Sequence, residues 1–238
     1  MPAYTLTSVR TADFTGSDGT AVDTLYSWLD PFPQTNTAGY HTVISNAMKL
    51  DFSSNDNTAL ADLTGTYTDD QYVVGRLGNL AAVGLPSAWI GAYLHCSGGT
   101  TAGTSGTFYR LRISQDSGES PHTTKIYRST AGTVVEIAST TTPTWANGDR
   151  FLFVDYGGTI EVYRDSGSGF GSSSVLSVDD TASRLTGGGP GVQIRRPDTY
   201  TLDDVEMGDA TLGGGSIVGP GLMSSPLLSG RLLRGLVR

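Results

Sequence analysis

The sequence predicts an all-β fold, either a sandwich or a barrel. Glycine is abundant, with 32 residues in 238, and charged residues make up only 16% of the chain. No long stretch places apolar residues at the spacing of a helix face, whereas strand-like runs recur about every ten residues with turn residues between them. A chain of this length can bury a sizeable core, and single β-sandwiches of this size are common.

The first predicted strand covers residues 4–14, where polar and apolar residues loosely alternate. The next segment has turn residues at Ser17-Asp18-Gly19 and prolines on both sides of Phe32, so it is predicted to be a long structured loop with Trp28 tucked inward. Strand signals then return as runs rich in branched and aromatic residues. They cover residues 41–51, 71–77, 88–96, 107–114, 124–129, 133–139, 173–178, 191–194 and 200–207.

Residues 149–164 carry the clearest local signal, a β-hairpin. Two runs of aromatic and branched residues meet at Gly157-Gly158, and such a pair can take the positive φ angles of a two-residue turn. With this turn, the predicted core face carries Phe151, Phe153, Ile160 and Val162. The opposite face carries Leu152, Val154 and Tyr163 with Glu161. Because that second face is also largely apolar, the hairpin is predicted to lie inside a sheet and to be partly covered on both sides.

The charge is unevenly distributed. The chain has 15 Lys and Arg against 23 Asp and Glu, a net charge of −8, but residues 213–238 contain three arginines and no acid. The remainder therefore carries 12 bases and 23 acids, or −11. An acidic body argues against nucleic-acid binding, and the basic tail suggests a different partner for that segment.

Residues 213–238 are predicted to be an extended arm that follows a β domain of residues 1–212. The arm opens with a Gly-rich run and continues with apolar residues interrupted by Gly, Ser and Pro, so it cannot form a core of its own. We expect it to dock on a neighbouring subunit; a flexible terminus, or one packed on its own domain, is the alternative. The predicted docking residues are Ile217, Val218, Leu222, Met223, Leu227, Leu228, Arg231, Leu232, Leu233, Arg234, Leu236, Val237 and Arg238.

Alternation along 88–96 and 107–113 predicts a polar and aromatic sheet face. If the two strands are neighbours, one face carries Trp89, Tyr93, His95, Arg110 and Arg112, while Ile90, Leu94, Cys96 and their partners face the core. Aromatic rings can stack on sugars and arginine can hydrogen-bond their hydroxyls, so this face is a candidate glycan-binding site. Ordinary cross-strand pairs on a solvated or partner-covered face are the alternative.

Acidic residues cluster near both ends of the predicted domain. The candidate calcium ligands are Asp13, Asp18, Asp203, Asp204 and Asp209, since calcium accepts several carboxylate and carbonyl oxygens in loose geometry. No EF-hand spacing is present, and solvated turn carboxylates are the alternative. No other cofactor is expected.

The sequence offers no pattern for catalysis. A glycosidase needs two carboxyl groups flanking one bond, but the hairpin register places Asp155 and Glu161 on opposite faces. The three histidines lie in unrelated contexts, and neither a zinc HExxH spacing nor a GxSxG elbow occurs. The single cysteine, Cys96, excludes an internal disulfide and is predicted to be a small buried residue. We therefore expect a protein that is not an enzyme.

The order of motifs resembles the concanavalin A-like (laminin G-like) jelly-roll superfamily over about residues 10–209. The motifs are DFTGSDGTAV, DQYVVGRL, WIGAYLHC, TFYRLRIS, KIYRSTAGTVVEIAS, WANGDRFLFVDYGGTIEVYRD and TLDDVEMGD. The resemblance implies a two-sheet antiparallel jelly-roll sandwich. Many members of this superfamily bind carbohydrate, some bind calcium, some are glycosidases and some are components of tailed-phage virions. The E-x-D-x-(x)-E type strand that the glycosidase members carry is missing here.

The ending GPGLMSSPLLSGRLLRGLVR resembles the short apolar, arginine-containing C-termini of structural proteins of tailed phages. The two resemblances together imply a virion structural protein assembled in the host cytoplasm, foremost a capsid decoration or head-surface protein that is anchored by its arm and forms a homo-oligomer. No signal peptide or membrane span is evident. The alternative is a lectin-like module on a phage tail or fibre that attaches to host polysaccharide, and a divergent glycoside hydrolase comes third.

Overall fold

The computed structural model describes residues 4–19, 22, 41–50, 59–80, 89–97, 106–114, 123–195 and 200–212. These residues contain fourteen β-strands and one short 3₁₀ helix, Thr181–Ser183. The strands are β1 Tyr4–Ala12, β2 His41–Ile44, β3 Ala47–Leu50, β4 Ala59–Ala61, β5 Gln71–Leu80, β6 Trp89–Ser97, β7 Thr107–Ser114, β8 Thr123–Thr130, β9 Thr133–Thr140, β10 Arg150–Tyr156, β11 Thr159–Asp165, β12 Leu176–Asp179, β13 Gly189–Arg195 and β14 Tyr200–Leu212. In this part of the chain, no helix has the length and apolar character that crossing a bilayer requires.

The strands form two antiparallel sheets. The eight-stranded sheet has the order β12-β11-β10-β5-β14-β3-β2, with β1 also paired to β14, and the six-stranded sheet has the order β4-β13-β6-β7-β8-β9. The long strand β14 pairs with β5 along one edge and with both β3 and β1 along the other. The predicted all-β sandwich is therefore confirmed.

The main core lies between the two sheets and is built by alternation along both. Fully buried side chains from the eight-stranded sheet include Val73, Leu77, Phe151, Phe153 and Met207. Those from the six-stranded sheet include Ile90, Leu94, Leu111, Ile126 and Ile194. Burial of each large apolar side chain contributes roughly 1.5–3 kcal/mol relative to exposure in water, so this layer is the dominant stabilising term.

The predicted hairpin is β10–β11, with the predicted register. Phe153 pairs with Val162 and Tyr156 with Thr159, and the turn glycines have φ angles of 61° and 90°. Strand β10 also pairs with β5, and β11 with β12, so the hairpin lies inside its sheet. Its second face is covered as well, because Leu152, Val154 and Tyr163 pack with residues that include Tyr72 and Phe170.

Two features of the chain differ from the predicted strands. Residues 41–51 were predicted to form one strand, but the chain turns back at Ser45-Asn46, whose φ angles are 51° and 60°, and forms the hairpin β2–β3. Asn tolerates the left-handed conformation that this tight turn requires. The short edge strand β4 was not predicted. Trp28 and the predicted docking arm, residues 213–238, lie outside the described residues.

Candidate functional site

The outer face of the six-stranded sheet gathers polar and aromatic side chains from four strands. One cross-strand row runs from Tyr93 through Arg110 to Tyr127. The next row runs from Gln193 through Gly91 and Arg112 to Lys125, and Arg195 pairs with Trp89 beside it. Strands β6 and β7 are thus neighbours, and Trp89, Tyr93, Arg110 and Arg112 share this face as the alternation predicts.

Arg110 stands at the centre of the outer face, over three aromatic rings. Its guanidinium carbon lies 4.7 Å from the ring centroid of Tyr127, 5.1 Å from that of Trp89 and 5.8 Å from that of Phe108. Such cation–π contacts contribute about 0.5–1 kcal/mol each at exposed sites and more where water is excluded. The three rings therefore hold the guanidinium in place on the sheet.

Gly91 allows the Trp89 indole to lie against the sheet. A Cβ atom at residue 91 would come within 2.6 Å of Cζ3 of the indole and within 2.4 Å of the Leu111 carbonyl oxygen. Both distances are too short for real atoms, so any larger residue at position 91 would displace the indole or the neighbouring strand. The small residue thus sets the position of the ring that lies beneath Arg110.

Burial changes the role predicted for the aromatic residues. Trp89 is 1% exposed and Tyr93 is 2% exposed, so neither ring offers a face on which a sugar can stack. They form the floor of the outer face instead, together with the fully buried Gln193, which accepts a hydrogen bond from the Tyr93 hydroxyl. The accessible layer above them consists of half-buried side chains: Arg110, Arg112, Lys125, Tyr127 and Arg195.

Among the residues that the structure describes, no hydrogen-bond acceptor meets certain buried N–H donors of the outer face, which include Nε1 of Trp89, Nε of Arg110 and Nε2 of Gln193. Leaving a buried donor unpaired costs about 1–3 kcal/mol, so such groups are normally satisfied by water or a ligand. The N–H groups of the half-buried arginine and lysine side chains above these donors make the outer face a candidate site for molecules rich in acceptor oxygens.

The prediction that His95 shares this face is wrong. A β-bulge at the end of β6 shifts the register with both β7 and β13, and His95 adopts a φ of 56°. The extra residue reverses the alternation, so the His95 ring turns into the space between the sheets and contacts the Tyr109 ring edge-on. Cys96 is buried, as predicted, but it packs with Tyr93 and Phe108 beneath the outer face rather than in the main core.

His95 is part of a buried polar network that joins the two sheets. Its Nε2 lies 2.8 Å from a carboxylate oxygen of Asp155 on β10, and its Nδ1 lies 3.0 Å from the Gly187 carbonyl oxygen. Asp155 also accepts hydrogen bonds from the Gly158 amide, at 2.9 Å, and from Nε of Arg184, at 3.3 Å. Both ring nitrogens are engaged and both side chains are fully buried. No substrate can reach them, so the pair is structural.

The hairpin carboxylates also occupy separate environments. Asp155 faces the interior, whereas Glu161 lies on the outer face of the eight-stranded sheet and accepts hydrogen bonds from Tyr4 and Tyr163, at 2.5 and 2.8 Å. Burial, followed by the hydrogen bond to Glu161, raises the pKa of the Tyr4 hydroxyl, which therefore remains protonated and donates. These two carboxylates cannot flank one glycosidic bond.

The predicted calcium ligands divide into separate groups. Asp13 and Asp204 line a cavity on the eight-stranded sheet together with Arg76, Arg150 and Glu206, and Arg76 forms an ion pair of 2.8 Å with Asp204. Burial raises the pKa of the neighbouring Asp203, and the carboxylates of Asp204 and Asp13 act in the same direction.

The other two candidates serve turns and loops. Asp18 accepts a hydrogen bond of 2.8 Å from the Ser45 amide, and Asp209 accepts one of 2.8 Å from the Thr68 amide. Across the described ranges, no three His, Cys, Asp or Glu side chains come together in a way that could hold a metal ion.

Four residues of the outer face were missed in the sequence: Gln193, Arg195, Lys125 and Tyr127. The signal was present, because Gln193 and Arg195 alternate with Val192 and Ile194, and Lys125 and Tyr127 flank Ile126. What the sequence did not contain was the strand order. Strand β13 lies beside β6 although about a hundred residues separate them, and only the folded register unites these side chains.

Comparisons with known proteins add information on the fold. No protein-family model matches the chain, and a search of curated proteins found no match. Among solved structures, a variant of the carbohydrate recognition domain of Emp46p matches with a TM-score of 0.58 and 8% identity, over 86% of this chain and 98% of that one. The CBM2 module of the evolved Dit of Lactobacillus casei BL23 phage J-1 matches with a TM-score of 0.51 and 11% identity, over 84% of this chain and 94% of that one.

A GH43 protein is also among the similar structures. A variant of BlXynB from Bacillus licheniformis matches with a TM-score of 0.53 and 11% identity, over 84% of this chain but only 39% of that one. At these identities the likeness concerns the fold alone. The two antiparallel sheets and these matches identify the fold as a concanavalin A-like jelly-roll sandwich, which confirms the fold that the motif resemblance implies.

Proposed function

We propose that this protein is a non-enzymatic carbohydrate-binding module that belongs to a tailed-phage virion. The observation that carries the proposal is the outer face of the six-stranded sheet, where half-buried arginine and lysine side chains present N–H donors and Arg110 lies over an aromatic floor. The fold it shares with a carbohydrate recognition domain and with a phage CBM2 module supports both parts of the proposal.

Recognition at this face would rest on hydrogen bonds rather than on stacking. The guanidinium group of arginine presents five N–H donors in a fixed planar arrangement, which suits the oxygens of a saccharide. Cation–π contacts fix Arg110 before a ligand arrives, so binding costs less side-chain entropy than it would for a free arginine.

Binding without hydrolysis is supported by the small number of carboxylates in the described rows of this face. Glu136 is the one acid in the cross-strand rows that the structure describes on this face, and it forms an ion pair of 3.3 Å with Lys125. Hydrolysis of a glycosidic bond by either common route requires two carboxyl groups.

The proposal predicts that Arg110→Gln weakens glycan binding. The full chain should bind at least one immobilised bacterial or plant polysaccharide, and the variant should bind it about 10-fold or more weakly, because hydrogen bonds to charged groups contribute about 1.5–3 kcal/mol. Affinity is measured by titration calorimetry, with thermal melting to verify folding. Arg76→Gln, the same charge change on the eight-stranded sheet, is the control. Equal affinities for the two variants would contradict the proposal.

The virion part of the proposal concerns residues 213–238. We propose that this arm docks on a neighbouring subunit, with its apolar side chains buried and its arginines paired with acidic surface. Such an anchor would serve a capsid decoration protein as well as a module on a tail or fibre. The proposed glycan-binding face favours a position where host saccharide is accessible. Self-association through the arm is part of the same proposal.

A further inference from the structure

The outer face of the six-stranded sheet combines positive charge with hydrogen-bond donors. The cross-strand rows that the structure describes on this face contain four cationic side chains and one carboxylate. The cations are Arg110, Arg112, Lys125 and Arg195, and the carboxylate is Glu136. The body of the protein has the opposite balance, with 12 bases and 23 acids outside residues 213–238. A cationic area on an acidic body is a local feature that the overall composition does not account for.

The single carboxylate neutralises only one edge of this face. Burial would raise the pKa of Glu136, but hydrogen bonds from Ser139, Lys125 and Tyr127 and the charge of Lys125 lower it overall, so Glu136 is ionised at neutral pH. Its partner is Lys125, at 3.3 Å, on the neighbouring strand β8. The charge at the centre of the face, on Arg110, lies instead over aromatic rings, which stabilise the cation without neutralising it.

The accessible donors of the outer face favour the same chemistry. Arg110, Arg112, Lys125 and Arg195 are half-buried, and their side chains carry N–H donors and no acceptor. A neutral sugar hydroxyl is both donor and acceptor, whereas a carboxylate or phosphodiester oxygen only accepts and carries charge. Charge-assisted hydrogen bonds are roughly twice as strong as neutral ones, so an oxyanion matches this set of donors better than a hydroxyl does.

We infer that the ligand of this face is an acidic polysaccharide, recognised through a carboxylate or phosphodiester group that contacts Arg110 and its neighbours. The inference rests on the proposed glycan-binding function and specifies its substrate class. Because salt screens charges beyond about 8 Å at physiological ionic strength, the local arginines govern binding despite the acidic body.

The test uses matched polymers and the full chain. Polygalacturonate is compared with its methyl ester, and poly(glycerol phosphate) with dextran, each by titration calorimetry in low and high NaCl. We expect at least one anionic polymer to bind 10-fold or more tightly than its neutral counterpart, with a preference that falls as salt rises. Preference for polygalacturonate alone identifies a carboxylate ligand, and preference for poly(glycerol phosphate) alone identifies a phosphodiester ligand.

Variants locate the effect on the face. Arg112→Gln should reduce the preference for the anionic polymer at least threefold, while Arg76→Gln on the other sheet should leave it unchanged. Lys125→Gln replaces Arg112→Gln if that variant fails to fold. Binding of neutral and anionic polymers with equal affinity overturns this inference and leaves the proposed function standing, whereas binding of no polysaccharide in a wider screen overturns both.

Discussion

At the scale of single residues, one backbone conformation removes His95 from the outer face of the six-stranded sheet. The φ of 56° at His95 places an imidazole between the sheets, where it meets Asp155. For residues other than glycine, such backbone conformations cost roughly 1–3 kcal/mol. They persist only where surrounding contacts compensate for that cost. Here the compensation is the buried network with Asp155, Gly187 and Gln71, whose side-chain oxygen accepts a hydrogen bond of 3.0 Å from the His95 amide.

Asp62 provides a prediction on acid stability. Burial would raise its pKa, but hydrogen bonds from Tyr67, Thr64 and Gly65 outweigh burial and lower it. Because the folded pKa lies below that of an unfolded aspartate, about 3.9, the ionised group stabilises the fold above that pH, and the contribution is lost as the pH falls through the folded pKa. Asp62→Asn should lower the free energy of unfolding by about 1–3 kcal/mol at neutral pH, as measured by urea denaturation.

The pH profile distinguishes this explanation from a general loss of packing. The difference between Asp62→Asn and the wild type should shrink as the pH falls below about 3.9, because the wild-type carboxylate then becomes protonated. Asp179→Asn, which alters an exposed carboxylate bonded to Thr181, is the control and should have little effect. A deficit for Asp62→Asn that stays constant across the pH range would contradict the assignment.

At the scale of elements, the hairpin β10–β11 was the most predictable part of the fold, and its turn can be tested. Gly157 and Gly158 both have positive φ, but their surroundings differ. A Cβ atom at residue 157 would meet nothing within 4 Å, whereas one at residue 158 would lie 2.8 Å from the Cα of Thr181.

We therefore expect unequal costs for the two alanine substitutions in this turn. Gly157→Ala should cost about 1–2 kcal/mol, the penalty of the left-handed conformation alone. Gly158→Ala should cost more, because the new methyl group must also displace the backbone at Thr181. Urea denaturation of both variants measures the difference, and equal losses of stability would show that the Thr181 contact does not constrain the turn.

The elements also mark where sequence reasoning reached its limit. Alternation located the hairpin and placed Trp89, Tyr93, Arg110 and Arg112 on one face, because period two is a property of the strand itself. It failed at His95, because a bulge inserts a residue without any local signal that the sequence of β6 displays. It also missed Gln193 and Arg195, since the pairing of β13 with β6 is a long-range property of the sheet.

At the scale of the whole molecule, the proposed function divides assembly and recognition between different parts of the chain. The proposed glycan site lies on the six-stranded sheet, and the proposed anchor is the arm at residues 213–238. A protein that lacks the arm should keep its thermal stability and its polysaccharide affinity but fail to join virions, as measured by copy number in purified particles. Incorporation at the full level without the arm would overturn the anchoring role.

The pairing of β1 with β14 places Tyr4 directly opposite Leu212, within about 5.5 Å between Cα atoms. A folded unit whose entry and exit are side by side can be spliced into a surface loop of another protein without stretching that loop. The same adjacency permits a circular permutant in which a short peptide joins Tyr4 to Leu212 and the chain opens elsewhere. The sandwich is therefore suited, in protein engineering, to insertion into a host protein.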